Sequence, residues 1–169
     1  MPDEPAHPEA SAAEDNVQRV TRETLEQLLA KMKIKAQVVA GWGEADEPEA
    51  PRPLILDVRG DDLSVLIGRH GETLAALQYI TRLIASKLLG QAVNAVVDVD
   101  GYKRRREEQL RRLAQRMAEQ AVERGRTMTL EPMPANERRI IHIALRDYPG
   151  VRTESVGEDD RRKVTIVPK

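Results

Sequence analysis

Two long amphipathic stretches, each closed by a glycine, set the terms for this fold. In residues 72–89 the apolar positions Leu74, Leu77, Ile80, Ile84 and Leu88 keep helical spacing, and Gly90 follows as a stop. In residues 102–124, Leu110, Leu113, Ala114, Met117, Ala118, Ala121 and Val122 form one stripe, and Gly125 ends it. Short apolar runs surround both stretches and suit strands: Ile34–Ala40, Leu54–Val58, Val93–Val99, Thr127–Leu130, Val151–Val156 and Lys163–Val167. A further helix is expected from Val17, with Asn16 as its N-cap. Leu63–Ile67 reads as a helical turn or two. Another helix opens near Pro134 and runs to about Tyr148. The fold class is therefore α+β.

The order of elements predicts two small units. Residues 17–100 read α-β-β-α-α-β. Residues 101–169 read as a long helix, a short helix and a three-stranded sheet. Residues 1–16, rich in Pro, Ala and acids, read as a disordered acidic tail. Residues 41–53 read as a long hairpin connection.

Composition narrows the chemistry. The 169 residues contain no Cys, which removes disulfides, zinc–thiolate sites and Cys nucleophiles. The three His are scattered, no Walker loop, HExxH or Gly-x-Ser-x-Gly occurs, and no metal or cofactor is expected. No apolar run is long enough to span a membrane and no charged-then-apolar leader opens the chain, so a cytoplasmic protein is expected.

The 27 bases and 28 acids almost cancel, but not evenly along the chain. Residues 1–16 hold five acids and residues 44–50 four, with no base in either. Without those nine, 27 bases face 19 acids. A basic body suits a polyanion partner. With no Phe, one Trp and three Tyr, it has few platforms on which bases can stack. A nucleic acid would be held mainly by its backbone.

Three motifs fit that grip. Gly68-Arg69-His70-Gly71 lies between a short apolar segment and the amphipathic stretch at 72–89. Glycines let a sugar–phosphate chain approach the backbone, and the helix that follows offers free N–H groups. Arg69 and His70 add donors. The simpler alternative is a tight helix–helix turn. Second, Arg138 and His142 stand at i and i+4 on one helical face, with Arg139 and Arg146 flanking His142. The competing reading has His142 bonded inside the fold and the arginines solvated. Third, residues 103–116 hold seven bases and two acids, with Arg104 and Arg105 as auxiliary phosphate contacts alongside Arg146. Here intrahelical pairs such as Glu108–Arg112 and Arg116–Glu119 would leave a simple solvated face.

GRHGETLAALQYI, DVDGYKRRREEQLRRLA and LEPMPANERRIIHIAL together resemble the Jag/KhpB family of bacterial RNA-binding proteins, over residues 18–168. The resemblance implies a type II KH domain followed by a domain named for an Arg and a His separated by three residues, called RxxxH here. It implies RNA-backbone contacts from Gly68, Arg69, His70 and Gly71, and phosphate contacts from Arg138 and His142; Arg139 joins them as an RNA-binding candidate from its place on the same helix. It also implies binding of single-stranded RNA, a small single-KH partner similar to KhpA, and an RNA-chaperone or post-transcriptional role in cell elongation, division and peptidoglycan homeostasis. No catalytic residue is expected. A homodimer is also open. Two features depart from the usual pattern: the Jag-N domain carried by many members has no counterpart before Val17, and His70 takes the second basic place in the loop. The other reading is a KH-mediated protein-interaction module in which binding of RNA or single-stranded DNA is secondary.

Overall fold

The computed structural model describes residues 8–45 and 50–169, and the chain divides into two units after Tyr102. The first unit is built from α1 (Pro8–Lys31), β1 (Gln37–Trp42), β2 (Leu54–Arg59), α2 (Ser64–Ile67), α3 (Glu72–Leu89) and β3 (Ala95–Val99). Its sheet runs β1-β2-β3, with β1 and β2 antiparallel and β2 and β3 parallel. Period-two alternation turns Val38, Leu54, Leu56, Val58, Ala95, Val97 and Val99 into one buried face. Leu25 and Leu29 of α1 and Leu74 and Leu77 of α3 complete that core. With no Phe, the core is built from Leu, Val and Ala.

Two expectations need correction here. The first helix begins at Pro8, not at Val17, so residues 8–16 are helical where a disordered tail is expected from composition. Pro suits a first helical position, and the Ala- and Glu-rich run after it has high helix propensity. Glu14 also reaches Arg52 at 3.1 Å. The remainder of the expected tail, residues 1–7, and residues 46–49 of the expected hairpin connection lie outside the described residues.

The second correction concerns α3. It buries Leu74, Leu77, Thr81 and Ala85, whereas Ile80, Ile84 and Leu88 are 43%, 37% and 68% exposed. Helical spacing alone groups all three with Leu74 and Leu77. Helix α3 packs on α1 and β3, and the Thr81 hydroxyl is satisfied by donating to the Leu77 carbonyl at 2.8 Å. The helix is apolar on more than one side, and periodicity alone merges the two.

The second unit follows α4 (Tyr102–Arg124) with β4 (Met128–Thr129), α5 (Ala135–Ala144), β5 (Val151–Val156) and β6 (Lys163–Pro168). Its antiparallel sheet runs β4-β6-β5. Leu110, Ala114, Ala118 and Ala121 of α4 pack with Ile141, Leu145, Val151, Val164 and Ile166. Helix α5 stops at Ala144 rather than near Tyr148, because the N–H groups of Arg146 and Tyr148 turn back to the Ile143 and Leu145 carbonyls. Pro134 precedes the helix as its cap residue.

Candidate nucleic-acid interface

Helix α2 ends at Gly68, whose N–H bonds the Ser64 carbonyl at 3.2 Å. Gly68 has φ 70° and ψ −172°, a combination that is essentially restricted to glycine. A Cβ there would lie 2.1 Å from Thr73 Oγ1 and 2.8 Å from Thr73 Cβ. Residues 69–71 make a single 3-10 turn with His70 left-handed at φ 52°, and Gly71 enters α3 at φ 79°. A Cβ on Gly71 would meet the Tyr102 ring at 3.2 Å. Both glycines are thus required by the local structure.

The loop brings Gly68, Arg69, His70 and Gly71 together at the start of α3. No side chain caps that helix start, and Arg69 is exposed while His70 is half-buried. Val65 of α2 is 62% exposed and adds apolar surface beside the loop.

In the second unit, Arg138 and His142 lie one turn apart on α5 and are held by β5. His142 Nδ1 shares a hydrogen bond with Thr153 Oγ1 at 2.7 Å, and Nε2 shares one with Ser155 Oγ at 2.8 Å. Arg138 donates from Nε to the Met133 carbonyl at 3.2 Å and from Nη1 to Ser155 Oγ at 3.4 Å. These bonds engage two of its five N–H donors. Burial, and then the neighbouring Arg138 charge, lower the His142 pKa below the usual 6.5. The shift favours the neutral imidazole, in which one nitrogen donates and the other accepts.

The basic residues that flank His142 in the sequence differ in their surroundings. His142 is half-buried, Arg146 lies beyond the last residue of α5, and Arg139 and Arg146 are solvent-exposed. What forms is a charged guanidinium beside a neutral ring, tied by two hydroxyls of β5. Alternation on the strand places Thr153 and Ser155 on one face. Nothing in the sequence spacing links them to His142, eleven and thirteen residues away.

Helix α4 also departs from expectation. Arg104 meets Glu108 at 3.6 Å and Glu107 meets Arg111 at 2.7 Å, in place of the expected Glu108–Arg112 and Arg116–Glu119 pairs. Arg104 is well exposed, and Arg105 is exposed as well. Arg106 makes a two-pronged contact with Glu137 of α5, Nε to Oε1 at 2.7 Å and Nη2 to Oε2 at 2.9 Å. Glu137 is only 2% exposed, and the pair fastens α4 to the helix that carries Arg138 and His142. Spanning 31 residues, it has no local signal.

Among the described residues, no cluster of three or more His, Asp or Glu is arranged to hold a metal ion, and no helix is long and apolar enough to cross a membrane.

A GxxG loop opening a helix over a mixed three-stranded sheet defines a KH-type domain, and an Arg/His pair against a small antiparallel sheet defines its companion: this is a tandem KH–RxxxH protein of the α+β class. Family comparison agrees. Residues 22–99 match the KH domain of KhpA/KhpB, and residues 108–168 match the domain family that takes its name from the RxxxH signature. The RNA-binding protein KhpB of Bacillus subtilis (strain 168) is 35% identical over 136 residues, covering 79% of this chain and 65% of that protein. That of Clostridium symbiosum is 35% identical over 144 residues, covering 85% of this chain and 63% of that protein. A third, from Lactiplantibacillus plantarum (strain ATCC BAA-793 / NCIMB 8826 / WCFS1), is 39% identical over 102 residues, covering 60% of this chain and 32% of that protein. The chain belongs to the KhpB/Jag family. It spans less than two thirds of the length of these relatives.

Proposed function

We propose that this protein binds single-stranded RNA by its backbone, through the Gly68–Gly71 loop and the Arg138/His142 helix, without catalysing a reaction on it. The carrying observation is the loop: a glycine-restricted turn, its Gly68 and Gly71 Cβ positions closed by Thr73 and Tyr102, at a helix start with no side-chain cap. The relatives' designation as RNA-binding proteins supports the same reading. Arg138 supplies the phosphate charge in the second unit, and His142, both ring nitrogens engaged by Thr153 and Ser155, fixes those β5 hydroxyls beside it. Arg139 and Arg146, with Arg104 and Arg105 on α4, are accessory phosphate contacts. The physiological role is that of an RNA chaperone or post-transcriptional regulator in the cytoplasm, acting with a KhpA-like single-KH partner in cell elongation, division and peptidoglycan homeostasis.

Fluorescence anisotropy with a short single-stranded RNA tests this across a salt series. Affinity is expected to fall linearly on a log–log plot, by a slope of about 0.7 per phosphate neutralised. Arg69→Ala and Arg138→Ala should each weaken binding for all sequences alike and each flatten the slope by about that amount. Salt-independent affinity, or no binding at low salt, refutes the proposal. The exposed apolar face of α3 favours a second reading, a KH-mediated protein-interaction module.

A further inference from the structure

The turn between α5 and β5 runs beside the last turns of α4. Between them lies a groove of about 420 Å³, walled by Glu119, Val122 and Glu123 of the helix and by Tyr148, Pro149 and Gly150 of the turn. Its floor is apolar: Val122 belongs by spacing to the core stripe of α4, yet it is 48% exposed. The groove is preformed. The Tyr148 ring packs on the core of the second unit, and the Gly150 carbonyl accepts the Lys169 N–H at 2.9 Å. Gly150 is left-handed at φ 78°, and a Cβ there would stand 3.3 Å from Val122 Cγ2, so the glycine lets the turn close on the helix.

The rim is acidic. Glu119 and Glu123 are exposed and stand about 6 Å apart along α4. Neither has an ion-pair partner among the described residues, although Arg116 precedes Glu119 by one turn. Like charges one turn apart repel, so a cation between them relieves a cost that the free protein bears. The negative end of the α4 dipole adds to the same field. Arg124, the base of the last turn, lies on the far side of the helix from the groove.

We propose that this groove is a docking site for a partner protein, and that it takes a segment in which apolar side chains stand between two Lys or Arg residues. The apolar floor receives the former and the two carboxylates the latter. An extended segment with cations two residues apart spans about 7 Å, close to the separation of Glu119 and Glu123 along the helix. The interface is small and charge-dependent, of the transient kind. A nucleic-acid strand does not suit it, because two unpaired carboxylates at the mouth repel phosphates. The site rests on no part of the RNA reading.

Amide NMR of the isotope-labelled full chain reads the groove residue by residue. The probes are three capped tetrapeptides: Lys-Leu-Leu-Lys, Lys-Ser-Ser-Lys and Glu-Leu-Leu-Glu. Only the first should shift the amides of residues 119–123 and 148–150 together, and added salt should weaken it. Glu119→Lys with Glu123→Lys should reduce its affinity by at least about tenfold and should transfer binding to Glu-Leu-Leu-Glu. Val122→Ser, a change at an exposed position, should weaken Lys-Leu-Leu-Lys while the thermal melt stays close to that of wild type. The double variant should bind single-stranded RNA no less tightly than wild type. Several results would overturn the proposal: no shift in the groove with any peptide, equal binding of Lys-Ser-Ser-Lys, a charge-reversed groove that ignores Glu-Leu-Leu-Glu, groove shifts produced by an RNA oligonucleotide instead of a peptide, or groove shifts that follow the concentration of the chain itself and so report a second copy.

Discussion

Gly68 offers the sharpest test of the loop. Gly68→Ala asks an L-residue to adopt φ 70° and ψ −172°, a strain of about 1–3 kcal/mol. It also drives a methyl group into Thr73. The Thr73 hydroxyl, 2.1 Å from the new Cβ, can rotate away, but Thr73 Cβ at 2.8 Å and its backbone N at 3.0 Å cannot move without shifting the first turn of α3. The loop must open or the unit must bear the strain. If it bears the strain, a loss of about 2 kcal/mol lowers the melting temperature by roughly 10 °C for a domain of this size. If the loop opens, stability is partly kept and RNA affinity falls. The control is Gly90→Ala, also left-handed at φ 67° and ψ 15° but with nothing within 4 Å of its Cβ. It should lose only about 1 kcal/mol and bind RNA normally. Calorimetry and anisotropy on both variants decide the matter. A Gly68→Ala protein that matches Gly90→Ala in both measurements would refute the claim that this loop is sterically closed to a side chain.

Two further outcomes follow from the second unit. Because the folded state holds His142 below the usual 6.5, the unfolded chain takes up a proton first on acidification. The stabilising contribution of His142 is present above about pH 6.5 and is lost as pH falls below it. Denaturant melts from about pH 7.5 to 5 should show this decline, and His142→Gln should flatten it; an unchanged slope would count against a neutral ring. Arg106→Ala strips the two-pronged contact from a carboxylate that is 2% exposed, and should cost about 2–3 kcal/mol. Replacing both partners, Arg106→Met with Glu137→Leu, should recover much of it in the same melts. Arg104→Ala, which disturbs only an exposed pair, should change stability by less than about 1 kcal/mol.

The sequence by itself determined what depends on neighbours along the chain. The α-β-β-α-α-β order, the stops at Gly90 and Gly125, the GxxG turn and the one-turn spacing of Arg138 and His142 are all local, because propensity, period and helix geometry act over a few residues. Tertiary structure decided which apolar face of α3 is covered, since α1 and β3 compete for a helix that offers more than one. It set His142 against the β5 hydroxyls eleven and thirteen residues away, where burial and then the Arg138 charge lower its pKa. It decided which bases remain for a ligand, by taking Arg106 into a buried pair with Glu137 and ending α5 before Arg146. Periodicity shows that a residue is suited to burial, but only the packed neighbours determine whether it is buried, paired or left for a partner.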